Sequence, residues 1–350
     1  MEKFQKSGGG TLKLKKGTYI ISNTVPIPSN VNLILEKGVI IKKGSKTGTS
    51  KFKASTSIFQ LVAPSKLQKK AVYGKYNGMV NVNIIGEGNC IIDMRFKKDN
   101  VGIICCHNKN INIQGITFKN LYSGHFIELD ATDKMTITNC KFLGSKASKG
   151  LNKEAINIDT PDKITKGFNN KWSKKDKTPN NNILIENNVF KQLDRAIGTH
   201  KYSQNKYNGK YVVNKGQIYH TQIVVKNNDI SNMRSDAIRV INWKDSEIIN
   251  NNIYDLPKNS KNYRGVLATG VNITIKYNKF SNMMRPVQFF PSKNPGAGSL
   301  YSITYNDLNS QNENDLQYNL CWNLDESFTR ISNIYNYFMY AQQIPMFITR

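Results

Sequence analysis

The residues "EAINIDTPD" (154–162) hold Glu154 and Asp159 on either side of Asn157, with Ile156 and Ile158 alternating between them. Neighbouring segments repeat the arrangement. "GHFIELDA" brings His125, Glu128 and Asp130, "RAIGTHK" brings Arg195 and His200, "DAIRVIN" brings Asp236 and Arg239, and "RPVQFFP" brings Arg285. Carboxylates held close together raise one another's pKa, so one stays protonated beside an ionised partner. That is the requirement for general acid/base chemistry, a proton donor beside an ionised partner. Asp159 is the expected acid, Asp130 or Glu154 the base, and His200 the group that tunes them. Arg239 suits an acidic or hydroxyl group of a sugar.

These side chains need elements that bring them together. Alternating apolar and polar residues mark half-buried strands. The inward pairs are Ile127/Leu129, Ile156/Ile158, Ile197/Thr199, Ile238/Val240 and Val287/Phe289. A second series follows them: "ITNCKF" from Ile137, "IENNVF" from Ile185, "VKNNDI" from Val225, "INNNIY" from Ile249 and "IKYNKF" from Ile275. Its fourth place holds Cys140, Asn188, Asn228, Asn252 and Asn278. Asparagine tolerates left-handed backbone at a turn, and its amide can bond to the amide one rung away. A spacing of roughly 22 to 40 residues in strand-rich units indicates a solenoid. The fold class expected is all-β, a single-stranded right-handed parallel β-helix.

With strands stacked ~4.8 Å apart, the outward positions form columns. One reads Glu128, Asn157, Gly198, Arg239, Gln288; the next reads Asp130, Asp159, His200, Ile241, Phe290. The residues leading into the strands are His125, Glu154, Arg195, Asp236 and Arg285. An ion ladder on a solvated sheet would use the same residue types. The concentration of carboxylates in one patch, in a chain of net charge +26, favours a site. Gly198 is expected to leave room above the sheet.

Two insertions, near 160–182 and 201–220, leave the same edge of adjacent rungs and are rich in lysine and aromatic residues (Phe168, Trp172, Tyr202, Tyr207, Tyr211, Tyr219). Rings suit sugar faces and lysines suit acidic groups, so Trp172 joins the expected substrate contacts with Glu128, Asn157, His125, Arg195, Asp236, Arg239 and Arg285. Residues 1–310 are expected to form the β-helix and 311–350 a capping segment of the same domain. His107 and His220 are expected at the surface, and Trp243 as a stacking platform or a turn plug.

The 50 Lys and Arg against 24 Asp and Glu concentrate anions near the surface. The lysines follow no nucleic-acid-binding motif, so the partner expected is an acidic polysaccharide. Five cysteines without CxxC spacing argue against zinc and against a disulfide framework. No apolar run is long enough to span a membrane. No secretory signal is visible at Met1, yet the expected location is secreted or cell-surface. Sequence does not set the oligomeric state.

The segment from Gly8 to Ile41, "GGGTLKLKKGTYIISNTVPIPSNVNLILEKGVII", resembles the entry rungs of the pectin-lyase-like β-helix superfamily. That superfamily includes polysaccharide lyases, glycoside hydrolases, epimerases, tailspikes and adhesins. The order "ELD", "NID", "GTH", "IRV" is similar to polygalacturonase-type hydrolases, without their paired Asp-Asp, Gly-His-Gly or the lysine after the arginine. The resemblance implies a carbohydrate-active enzyme, foremost a glycoside hydrolase without cofactor. A lyase or epimerase would use Arg239 or His200 as base and hold Ca²⁺ at Glu128, Asp130, Glu154 and Asp159. A non-catalytic adhesin or tailspike-like module would use the patch as a binding groove.

Overall fold

A computed structural model describes every residue except 260–262, 326–327, 332–341, 346 and 349–350; for 328, 330, 342–345 and 347–348 it describes the backbone alone. The chain is an all-β, right-handed parallel β-helix. One rung consists of the strands Ile127–Asp130, Asp133–Thr138 and Lys141–Ser145, and the next of Glu154–Asp159, Asn181–Glu186 and Val189–Lys191. Each strand pairs in parallel with its counterpart one rung away. Parallel pairing continues past residue 310, through Leu320–Leu324 and Phe328–Ile331, before the antiparallel strand Gln342–Pro345.

The inward pairs of the first sheet are buried as expected, and in-register side chains build the core. Phe118, Phe142 and Phe190 stand one above another with ring centroids 5.0 and 4.7 Å apart and nearly parallel planes. A further rung, Arg264–Lys276, lies between the "DAIRVIN" and "RPVQFFP" strands, so Leu267 separates Arg239 from Gln288. Its glycines weaken the strand signal, yet they are needed. A Cβ on Gly265 would meet the Pro286 carbonyl oxygen at 2.6 Å, and one on Gly270 the Trp243 carbonyl oxygen at 2.1 Å.

The asparagine column is a buried ladder of Asn188, Asn228, Asn251, Asn278 and Asn319, one residue away from the expected Asn252. The Nδ2 of Asn228 donates to Asn251 Oδ1 (2.9 Å) and to the Ile185 carbonyl (3.0 Å). Its Oδ1 accepts the backbone N–H of Asn188 (2.9 Å) and the Asn188 amide (3.1 Å). The left-handed residue is the one before: Asn139, Asn187, Asn227, Asn250 and Tyr277 all have φ between 54° and 59°. Ladder and turn are therefore separate duties at adjacent positions. Asn228→Ala would strand the Asn188 N–H and the Ile185 carbonyl without partners. It is expected to cost at least about 2 kcal/mol, since each orphaned buried group costs roughly 1–3. A urea midpoint equal to wild type would contradict this.

Candidate functional site

The strand Glu154–Asp159 is buried on both faces, as are Ile127–Asp130, Arg195–Gly198 and Arg285–Phe289. The expected wet side is covered. Glu128 is 7% exposed, Asp130 0%, Glu154 0%, Asn157 1% and Asp159 1%. Both insertions and the segment near Tyr301 form the roof. Asp162 ties them together: its Oδ1 accepts the Ile164 N–H, and its Oδ2 accepts the Ser203 hydroxyl (2.5 Å) and the Tyr301 hydroxyl (2.6 Å). Lys177 Nζ donates to the Gln204 carbonyl and lies over the Tyr301 ring.

Of the six insertion aromatics expected to meet sugar, Phe168, Trp172 and Tyr202 are buried in two small clusters, while Tyr207 is 49% exposed. Trp172 is 1% exposed and packs edge-on against Phe168 and Tyr73 over Val62, Ile104 and Cys106, with Nε1 donating to Gln60 Oε1. Tyr202 is equally buried and packs with Tyr301 and Ile241. Trp243 plugs a turn, donating to Thr199 Oγ1. His107 and His220 are buried rather than superficial. His107 Nδ1 donates to the Lys75 carbonyl while Nε2 accepts from Ser173, pinning the first insertion to the rod. His220 Nδ1 accepts the Asn180 N–H. Gly198 leaves no opening, because a Cβ there would lie 2.7 Å from the Arg239 carbonyl oxygen. It permits close approach of the next rung.

The column leading into the strands is an ion ladder turned inward on itself. Arg195 Nη1 meets Glu154 Oε1 at 2.5 Å, Arg195 Nη2 lies 3.6 Å from Asp236, and Arg264 Nε lies 2.8 Å from Asp236 Oδ1. His125 Nδ1 donates to the Glu154 carbonyl, and Arg285 Nη1 donates to Gln288 Oε1. Burial alone would raise the Glu154 pKa, but Arg195, His200 and His125 pull it below the ordinary value. His125, Arg195, Asp236 and Arg285, expected to touch substrate, face protein groups instead.

The outward column brings Glu128, Asp130 and Asp159 together. Asp130 and Asp159 are directly paired on adjacent rungs, and Asn157 Nδ2 donates to Glu128 Oε1 at 3.2 Å. Asp159 Oδ1 accepts the N–H groups of His200 (2.8 Å) and Lys201 (2.9 Å), and Gly167 of the roof lies against its other oxygen. Desolvation raises the Asp159 pKa to about 7. Desolvation first, then the charges of Asp159 and Glu154 at Glu128 and of Glu128 and Asp159 at Asp130, hold both groups well above the carboxylate range. Both Asp130 oxygens are buried without a hydrogen-bond partner. The four carboxylates do not converge as a Ca²⁺ cage: Glu154 pairs with Arg195 and Asp159 with backbone N–H groups. Among the described residues no group of three or more ligand side chains is arranged for a metal ion. His200 is half-buried and burial lowers its pKa to about 4. Arg239 and Lys201 are half-buried beside it, so the roofed acidic cluster has a basic rim.

No family model matches the chain. It is 24% identical over 286 residues to the plasmin and fibronectin-binding protein A of Streptococcus pneumoniae (strain ATCC BAA-255 / R6), covering 77% of this chain and 38% of that protein. The solved structure of the Streptococcus pneumoniae surface protein and adhesin PfbA matches with a TM-score of 0.64 at 19% identity, over 93% of this chain and 84% of the other. ORF18 of Geobacillus virus E2 matches at TM-score 0.51 and 12% identity, over 93% of this chain and 54% of the other. These matches support the parallel β-helix and leave the pectin-lyase-like assignment a resemblance. They correct the expectation of a carbohydrate-active enzyme, hydrolase or lyase: the relative and the better-matched structure are named as a binding protein and an adhesin. Among the described residues no helix is long and apolar enough to cross a membrane.

Proposed function

We propose that this chain is a non-catalytic binding module of a cell-surface adhesin, holding an anionic extracellular macromolecule on its basic exterior. The roofing of the carboxylate patch carries the reading. Asp130, Glu154 and Asp159 are 0–1% exposed, Glu154 being held by Arg195 and Asp159 by backbone N–H groups, and they offer a sugar no approach. Lys163, Lys166, Lys171 and Lys174 are exposed on the roof of a chain of net charge +26. Plasmin and fibronectin, for which the curated relative is named, are the first partners to test. The acidic polysaccharide expected from sequence is the alternative ligand of the same lysines.

The test is biolayer interferometry against immobilised fibronectin, plasmin and polygalacturonate. Affinity for at least one should fall about tenfold or more between about 50 and 300 mM salt, because exposed charges are screened over about 8 Å at physiological ionic strength. Reversing Lys163, Lys166, Lys171 and Lys174 to glutamate should weaken that affinity at least as much. Salt-independent binding, or release of reducing ends or new double bonds from the polysaccharide, would refute the reading.

A further inference from the structure

The left-handed turn position that holds Asn139, Asn187, Asn227 and Asn250 on successive rungs holds Tyr277 on the next, at φ 59°. Asparagine adopts this backbone readily, whereas a bulky aromatic there is strained, and strain of this kind collects at functional sites. The ring of Tyr277 is 53% exposed, so packing does not explain it. Tyr318, 57% exposed, lies beside it with ring centroids 5.9 Å apart and planes at 55°. The backbone N–H of Tyr277 donates to the Tyr318 carbonyl, and the buried ladder residues Asn278 and Asn319 stand directly after the two tyrosines.

A depression of about 720 Å³ opens here, lined by Tyr277, Tyr318, Gln311, Asn314 and Gln317. The amides come from the helix Ser310–Asp315 and the 3-10 turn Leu316–Tyr318. Asn309 and Asn312 cap the helix reciprocally, and Asn312 Nδ2 donates to Asn272 Oδ1, fixing it to the rod. Among the described residues no charged side chain lines the depression. Lys276 at its edge lies over the Tyr277 ring and is paired with Asp315 at 3.5 Å.

We infer that this depression is a subsite for a neutral hexopyranose residue of a glycan. Phenol faces match the C–H face of a pyranose ring. The carboxamides of Asn314, Gln317 and Gln311, the last with its Nε2 already donating to Asp315 Oδ1 at 2.9 Å, carry donors and acceptors that match hydroxyl groups, which are also both. A proline-rich peptide would use the rings but presents few donors to the amide oxygens. The site is remote in chemistry from the lysine surface proposed above, and salt dependence separates the two.

The experiment is saturation-transfer NMR on the full chain with methyl hexopyranosides (manno, galacto, gluco) and neutral cello- and maltotetraose. At least one probe should bind saturably in the millimolar range, roughly −4 kcal/mol, and equally at low and high salt. Tyr318→Ala should weaken it about tenfold or more. Tyr277→Asn should do the same while leaving the melting temperature at or above wild type, because asparagine suits the left-handed turn. The Lys163, Lys166, Lys171 and Lys174 reversals should leave sugar binding intact. Absence of saturable binding by every probe, variants that bind like wild type, or a proline-rich peptide binding here where sugars do not would overturn the assignment.

Discussion

Arg195→Met is expected to be among the most destabilising single substitutions in the rod, costing about 3–5 kcal/mol, the range for breaking a buried ion pair from one side. Glu154 is 0% exposed, and its Oε1 is held by Arg195 Nη1; its Oε2 has no hydrogen-bond partner. Without the guanidinium, a buried carboxylate remains beside His125, whose own pKa burial pushes down. Asp236 retains Arg264 at 2.8 Å and loses only the longer contact, so the damage should centre on Glu154. The loss should therefore shrink as pH falls and Glu154 takes up a proton. Pairing Arg195→Met with Glu154→Leu should recover most of the stability, since an ion pair replaced by packed apolar groups is often neutral. Urea midpoints of the two single variants and the double variant decide the matter. A loss below about 1 kcal/mol for Arg195→Met would place this ladder with ordinary surface ion pairs.

The same ladder shows what was legible in the sequence. Inward pairs such as Ile156/Ile158 and the recurring asparagine turns are local signals repeated rung after rung, so the solenoid could be read from them. The slip from Asn251 to Asn252 arose where three asparagines run together in "IINNNIY" and offer two equivalent registers. Arg264–Lys276 escaped because Gly265, Ala268 and Gly270 read as loop, although close rung-to-rung approach demands the two glycines. Burial of the outward face was out of reach for a different reason. Polar strand residues look alike under water and under a roof, and this roof is assembled across long chain distances: Tyr301 reaches Asp162 over 139 residues. Trp172 reads equally as a platform or a plug until Gln60, 112 residues away, is seen to hold its N–H.

Stability of the rod is expected to fall as pH rises from about 6.5 to 8, and Asp130→Asn is expected to flatten that fall. Desolvation, followed by repulsion from neighbouring carboxylates, raises the folded-state pKa values of Glu128 and Asp130, and desolvation brings Asp159 to about 7. The folded chain thus keeps protons that the unfolded chain releases above about pH 4. Each proton so retained removes about 1.4 kcal/mol of stability per pH unit across the window between the two pKa values. Below about pH 4 both states are protonated and the slope vanishes. The buried histidines work in the opposite sense. Burial lowers His220 to about 3 and His200 to about 4, so the unfolded state gains protons first and stability is lost as pH falls below about 6.5. The two trends oppose each other between about pH 4 and 6.5, so the fall with rising pH shows above about 6.5, where the histidines no longer contribute. Asp130 contributes two buried oxygens without partners, so its amide replacement removes a retained proton from the cluster. Thermal melts should show Asp130→Asn above wild type at pH 8 and close to it at pH 5. Parallel curves for the two proteins across this range would mean that the cluster does not hold its protons, and that the roofed carboxylates are ionised and hydrated in the native rod.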